Sequence, residues 1–528
     1  MKKILIPILI LTFVLMLVPN LISNAATSNY TITINHKDGM KAFDTTRFVA
    51  YQLFAGKTNG TTNQLSDITW GTGVDPEALI TNLKKSTIKD QFSTVSYDEA
   101  APYESAIAVA EILENYKEAD KDEFLRLFAR CVKASVKESG KLTSEIISKN
   151  AVIDVKEPGY YIVIDTDQNT NKEDNAISDF ILSVVGKVDV NVKADIPSLD
   201  KKIIVNNTQE LEGTTADVGS TVTFRLTGTL PDNYDDYETY YYAFNDTLSG
   251  FTYKTGTIVV KLNDNELTEN TDWKLTVGDS TLKIVISNLK TVTNKYNIKD
   301  NFENVKITVQ YDVTVNKDAV IANADKKGNP NTAYIEYSND PNSEQKGETK
   351  KDIVYVYTFG LNILKVEDGK TNVLPNAEFT LTKGNQYASF EKTNGKYIFK
   401  GWVSNTGDNT KLVSDDNGKI LIEGLAEGTY KLTETKPPEG YDLLKEDVTV
   451  IIGADISTTG VLNGYTITAS GSGASYTDNN VKIPNKYSKV LPSTGGIGTI
   501  IFYSVGGILI IATACYAIFN IKSKKSKH

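Results

Sequence analysis

The spacing of apolar positions divides the chain into three stretches of different rhythm. In the first, Tyr30-Thr31-Ile32-Thr33-Ile34 and Phe48-Val49-Ala50-Tyr51-Gln52-Leu53-Phe54 read as strands, as do Gly159-Tyr160-Tyr161-Ile162-Val163-Ile164 and Phe180-Ile181-Leu182-Ser183-Val184-Val185. Between them, over about residues 102–137, Ile107, Leu113 and Tyr116, then Phe124, Phe128 and Cys131, fall at helical spacing. This predicts a β unit with a helical insertion over residues 26–195. In the second stretch, residues 196–358, Val222, Phe224 and Leu226 share one parity. Val305, Ile307, Val309, Tyr311, Val313 and Val315 do the same. Successive alternating runs parted by turn signals predict a β-sandwich without a long amphipathic helix. The third, residues 359–488, opens on Leu361-Asn362-Ile363-Leu364-Lys365-Val366 and closes on Val481-Lys482-Ile483-Pro484-Asn485. Asp416-Asn417-Gly418 within it predicts a hairpin turn, because Asn-Gly accepts positive φ.

The two ends follow different rules. Lys2 and Lys3 precede an apolar run over residues 4–18 and then Ser23-Asn24-Ala25, the pattern of a secretory signal over residues 1–25. Near the other end, an apolar run over residues 497–521 is long enough to span a bilayer, and Lys522, Lys524, Lys525 and Lys527 would hold its end on the cytoplasmic side. Directly before it stands Leu491-Pro492-Ser493-Thr494-Gly495. This resembles the LPxTG cell-wall sorting signal of Gram-positive surface proteins, so residues 489–528 are expected to be a sorting segment. The resemblance implies that a sortase cysteine cuts between Thr494 and Gly495, holds the Thr494 carbonyl as a thioester and passes it to an amine.

Composition narrows the choice of chemistry. A length of 528 residues suits about three domains. With 40% hydrophobic and 23% charged residues, those domains are globular rather than disordered. There are only two His and two Cys, which argues against histidine-based catalysis, zinc sites and disulfide scaffolds. Cys515 lies in the apolar tail, so the exported part keeps Cys131 alone, read as a core cysteine. Asp165-Thr166-Asp167-Gln168-Asn169-Thr170-Asn171 has the spacing of a calcium loop but lacks its glycine and closing glutamate, so no metal is expected. Six lysines in the flanks mask a body more acidic than the net charge of −10, which argues against nucleic acid as a partner.

Candidate chemistry lies in the third stretch. Tyr430-Lys431-Leu432-Thr433-Glu434-Thr435-Lys436-Pro437-Pro438-Glu439-Gly440-Tyr441 resembles the E-box of collagen-adhesin B-type domains, and Lys365 and Asn485 stand where that family places its isopeptide partners. Strand parity agrees: Lys365 shares a face with Leu361 and Ile363, and Glu434 with Leu432 and Tyr430. Burial disfavours an ammonium and keeps a carboxylic acid protonated. A neutral Lys365 amine is then a nucleophile. Glu434 is expected to hydrogen-bond the Asn485 amide oxygen, polarise its carbon and shuttle the proton as ammonia leaves. A parallel set occurs in the second stretch. Leu199, Lys201 and Ile203 share a face, which favours Lys201 over Lys202. The run Ala243-Phe244-Asn245-Asp246 resembles the acid-bearing segment of fimbrial isopeptide-forming domains, and residues 331–339 resemble the strand that supplies the amide. Asn331 and Asn339 have the same parity; Asn331 is preferred and Asn339 is the alternative.

Together these features resemble a shaft (major, or backbone) pilin of sortase-assembled Gram-positive pili, with Tyr51-Gln52-Leu53-Phe54-Ala55-Gly56 and Leu65-Ser66-Asp67-Ile68-Thr69-Trp70-Gly71 similar to the N-terminal domain of such pilins. The resemblance implies a mainly β chain of tandem immunoglobulin-like, collagen-adhesin-type β-sandwich domains, the first with a helical insertion. It implies no cofactor, and no enzymatic activity beyond single-turnover closure by Glu434 and Asp246. The implied partners are a sortase, neighbouring pilin subunits and peptidoglycan, on a secreted chain covalently anchored to the wall. Thr494 would be joined to a lysine of the next subunit, usually within a YPK-type motif. Here that junction reads Val190-Asn191-Val192-Lys193-Ala194-Asp195, which makes Lys193 the candidate and Lys187 the next. The alternative is a wall-anchored adhesin or minor pilin that binds host matrix proteins.

Overall fold

The structure, a computed structural model, describes residues 30–36, 47–58, 65–117, 121–166, 180–191, 196–322, 328–341, 344–488 and 497–525. It is mainly β. The chain forms two compact units. The first holds the described residues up to Gly360 together with Gly424–Glu427 and Ala454–Tyr465; the second holds Leu361–Glu423, Gly428–Gly453 and the residues from Thr466 on. The boundary falls inside the strand Asp352–Glu367.

The first unit begins with two sheets and three helices. The strand Phe48–Thr58 is buried on both faces over its first seven residues. Phe48 and Ala50 pack with Ile32, Ile34, Ile153 and Val155 of the sheet formed around Tyr30–Asn35 and Asn150–Val155. Val49, Tyr51 and Leu53 face the other way, into a core shared with the helices. A strand covered on both sides reads as a continuous apolar run, which is what its sequence shows.

The helical part is larger than the spacing predicted. Helix α1 (Pro76–Lys85) precedes the expected span and buries Leu79, Ile80 and Leu83. Asp75 caps it by accepting from the Ala78 N–H at 3.1 Å, with Pro76 at its first position. The expected span itself divides into α2 (Pro102–Asn115) and α3 (Lys121–Lys133). Cys131 lies in this core beside Phe124 and Phe128, where burial raises its thiol pKa. Asp165, the first residue of the calcium-like segment, binds Arg47 through two guanidinium nitrogens at 2.9 and 3.1 Å. Asp167, Asn169 and Asn171 lie outside the described residues.

The rest of the first unit contains a sandwich. One sheet orders Gln209–Leu211, Leu199–Val205, Thr221–Thr229 and Lys306–Val315 side by side. The strands Thr281–Ile286, Tyr242–Leu248, Asn329–Ser338 and Asp352–Glu367 pair in succession opposite it. Phe224, Leu226, Val309 and Tyr311 from the first sheet meet Phe244, Ile284 and Ile335 from the second in one core. A short α-helix, α4 (Leu289–Lys295), is capped by Asn288.

In the second unit, the strand Asp352–Glu367 runs parallel to Asn480–Asn485, with Lys365 opposite Ile483 and Glu367 opposite Asn485. The strand Gly428–Lys436 pairs with Glu378–Lys383. Gly418 takes a φ of +71° at the expected Asn-Gly turn. Helix α5 (Ile497–Lys525) includes a stretch, Gly498–Lys522, long and apolar enough to cross a membrane.

Candidate functional site

Two buried groups of lysine, carboxyl and carboxamide side chains stand out. In the second unit, Lys365 continues the inward face of Leu361 and Ile363, and Asn485 that of Val481 and Ile483. The two sit on adjacent parallel strands, two residues apart in register. Lys365 is 0% and Asn485 1% exposed. The Lys365 ammonium donates to the Ile483 carbonyl at 2.9 Å and to Asn485 Oδ1. Glu434 enters from the strand Gly428–Lys436, on the face of Tyr430 and Leu432, with Oε1 3.7 Å from Lys365 Nζ. Burial pushes the Lys365 ammonium down to about 8, against the opposing pull of the Glu434 charge.

The carboxyl meets the amide on the side opposite to the one expected. Asn485 Nδ2 donates to Glu434 Oε2 at 3.0 Å and to the Asp442 carbonyl at 2.7 Å. Two acceptors on one flank and an ammonium on the other set the amide's orientation: its oxygen faces the lysine and its nitrogen the acid. Glu434 Oε2 also accepts from the Leu444 N–H at 2.9 Å, which holds the carboxyl in place. Glu434 thus bridges the amine and the amide nitrogen instead of donating to the oxygen.

The first unit carries the related group. Lys201 is 0% exposed. Lys202 points away and pairs with Asp200 and Glu212. Lys201 Nζ donates to Asp246 Oδ2 at 2.7 Å and lies 5.3 Å from the centre of the Phe224 ring. Burial lowers its pKa, with Asp246 opposing. Asp246 lies opposite Ala333 and Asn331 opposite Leu248, so the acid and the amide are diagonal neighbours on one face. Asn331 is fully buried and its Nδ2 donates at 2.8 Å to the hydroxyl of Tyr311. That hydroxyl donates to Asp246 Oδ2 and stands 3.4 Å from Lys201 Nζ. Asn339 is eight residues farther along, about 26 Å in extended chain. Its backbone N–H donates to Gln345, away from the Lys201 group. Of the two carboxamides, Asn331 is the one joined to the lysine and the acid, through the Tyr311 hydroxyl.

Sequence reasoning missed Tyr311, which alternation marks only as another inward residue of the strand Lys306–Val315. Glu434 Oε1, Asp246 Oδ1 and Asn331 Oδ1 are among the several buried side-chain atoms that have no hydrogen-bond partner within the described residues. Unmet polar atoms of this kind cost about 1–3 kcal/mol each and concentrate where a fold serves chemistry rather than stability. In the second unit an amine, a carboxyl group and a primary amide are in mutual contact and shielded from water, and in the first unit the Tyr311 hydroxyl links the same three groups, so both hold the parts that amide exchange requires. Lys187 is exposed on the strand Lys187–Asn191. Lys193 and the sorting residues Leu491, Pro492, Thr494 and Gly495 lie outside the described residues, as does the signal over residues 1–25.

Comparison with known proteins places these groups in context. Residues 359–464 match the family described as SpaA, prealbumin-like fold domain. The trypsin-resistant surface T6 protein of Streptococcus pyogenes serotype M6 is 24% identical over 393 residues, covering 63% of this chain and 70% of that protein. The solved T6 backbone pilin of the same serotype, a modular three-domain structure, aligns over 88% of this chain and all of its own with a TM-score of 0.50 and 15% identity. The full-length major pilin SpaD of Corynebacterium diphtheriae aligns over 87% of this chain and 98% of its own, with a TM-score of 0.47 and 15% identity. The fold is that of the T6 backbone pilin, and the resemblance read from the sequence agrees with that relative.

Proposed function

We propose that the chain is a structural backbone subunit of a covalently polymerised surface pilus, each subunit locked by two internal Lys–Asn isopeptide bonds. The observation that carries this reading is the pair of dry lysine–acid–carboxamide groups, Lys365–Glu434–Asn485 and Lys201–Asp246–Asn331, in a chain whose fold follows that of the T6 backbone pilin. In each group the neutral lysine amine attacks the amide carbon. The acid takes the lysine proton and returns one to the departing nitrogen, and ammonia leaves. Each site turns over once and acts only on its own chain, so the protein is not an enzyme in the ordinary sense.

The consequence is mechanical. The strands Asp352–Glu367 and Asn480–Asn485 are parallel, so tension applied at the two ends of the third domain loads them in shear. A Lys365–Asn485 bond carries that load across their sequence separation of 120. Assembly follows from the sorting signal: a sortase cleaves after Thr494 and transfers its carbonyl to Lys193 of the next subunit, and at the base to peptidoglycan. The membrane-length stretch Gly498–Lys522 holds the chain for that transfer.

Wall extracts test the assembly directly. A ladder of SDS-resistant species at multiples of the subunit mass is the expected result. One wall-released species of single size would instead favour a minor pilin or matrix-binding adhesin, the reading suggested by the missing Tyr-Pro-Lys at the first junction.

A further inference from the structure

The two groups differ in how their acids reach their amides. Glu434 touches both ends of its site, lying 3.7 Å from Lys365 Nζ and 3.0 Å from Asn485 Nδ2. Asp246 is one methylene shorter. It contacts Lys201 directly at 2.7 Å, but Asn331 lies diagonally across the strand pair. Diagonal neighbours stand about 7–8 Å apart, beyond the span of an aspartate. The gap is filled from the opposite sheet by Tyr311, fully buried, whose hydroxyl contacts the acid, the amide nitrogen and the lysine at once.

We propose that Tyr311 is a catalytic proton relay in closing the Lys201–Asn331 bond, doing through its hydroxyl what the longer glutamate side chain does alone in the third domain. This rests on the isopeptide reading above. Lys201 starts as the neutral amine and Asp246 as the acid. Attack forms the bond from Nζ to the Asn331 amide carbon and turns Nδ2 into an amine-like nitrogen with a free lone pair. The Tyr311 hydroxyl, which accepted from Nδ2 before attack, now gives it a proton and takes one from Asp246. Asp246 takes the surplus proton from Nζ. The bond from the amide carbon to Nδ2 breaks, ammonia leaves, and both Tyr311 and Asp246 return to their starting state. Among the described residues, the hydrogen-bond and ion-pair partners of Lys365, Glu434 and Asn485 include no side-chain hydroxyl.

The test is Tyr311→Phe in the full ectodomain, made by pulse synthesis and followed by peptide mass for each bond separately. Phenylalanine keeps the ring that packs on Phe224 at 5.8 Å between centroids. The Lys201–Asn331 bond should close about 100-fold more slowly, the usual scale of positioned acid–base help. The Lys365–Asn485 bond should close at the wild-type rate and so report intact folding of its domain. Asp246→Glu added to Tyr311→Phe should recover much of the rate, since the longer acid reaches the amide. If Tyr311→Phe disturbs the second domain, 3-fluorotyrosine at position 311 keeps the hydroxyl and lowers its pKa. A relay then shifts the pH profile of closure, and a packing group leaves it unchanged. Closure at the wild-type rate in Tyr311→Phe, or an unmoved profile with fluorotyrosine, overturns the relay while leaving the isopeptide reading intact. Absence of the Lys201–Asn331 bond in the wild type overturns both.

Discussion

Glu434→Gln isolates the work of the proposed Lys365–Asn485 crosslink in the second unit. Glutamine has the same shape, and its oxygen can still accept from the Leu444 N–H and from Asn485 Nδ2, so packing changes little. What it cannot do is carry a proton between Lys365 and the leaving nitrogen. The variant should retain its ammonia, and the denatured chain should regain the freedom that a closed loop of 120 residues denies it. Loop-closure entropy values that freedom at about 5 kcal/mol. With about 2.1 cal/mol/K of unfolding entropy per residue, a domain of this size loses about 20 °C of melting temperature. A second cost adds to this. The uncoupled Lys365 ammonium stays buried without the carboxylate 3.7 Å away. Lys365→Met separates the two costs, because it also prevents the bond but removes the buried ammonium. Calorimetry on the ectodomain should place Lys365→Met about 20 °C below wild type in the affected transition, and Glu434→Gln lower still. Both variants melting within a few degrees of wild type, with unchanged intact mass in all three proteins, would refute the reasoning.

The same variant predicts a pH dependence. In unclosed Glu434→Gln, Lys365 titrates below its ordinary 10.5, because burial holds it near or below the value of about 8 set with Glu434 present. The unfolded chain then binds more protons between about pH 8 and 10.5, so stability rises with pH across that window. Wild type, with its Lys365 nitrogen converted to an amide as proposed, should show no such rise from this residue when both are melted from pH 7 to 10.5. Asp246→Ala should restore one ammonia to the intact mass and leave the Lys365–Asn485 bond formed, as read by peptide mapping. Lys193→Ala should abolish the SDS-resistant ladder in wall extracts while Lys187→Ala keeps it; the reverse pattern would move the inter-subunit link to the strand Lys187–Asn191.

Strand parity alone makes most of the candidate site legible in the sequence. Lys201, Lys365 and Glu434 each continue an apolar face, and a charged residue in that position is either an error of alternation or a buried group. The choice between Asn331 and Asn339 was beyond parity, because both fall on one face. It needed the pairing of Asn331 with Leu248, which is a fact of register between distant strands. Tyr311 was hidden for a different reason. A tyrosine on an inward face reads as core, and only contact across the sandwich brings its hydroxyl to Asp246. The side of the Asn485 amide that Glu434 meets was set by the Asp442 carbonyl, an acceptor with no side-chain signature. Helix α1 carried its own signals in Asp75-Pro76-Glu77, but three buried residues, Leu79, Ile80 and Leu83, made too short a pattern to register. The assignment of Gly424–Glu427 to the first unit was likewise out of reach. It follows from long-range bonds such as Val218 N–H to the Gly424 carbonyl and Ala426 N–H to Asp217.

The mechanical role proposed for the chain depends on two covalent bonds forming without help. The intact mass of the purified wild-type ectodomain, followed by peptide mapping, measures them directly. The account predicts a mass lower than the sequence by two ammonias, with Lys201 joined to Asn331 and Lys365 joined to Asn485. A mass equal to the unmodified sequence, or crosslinks that involve other residues, would contradict it.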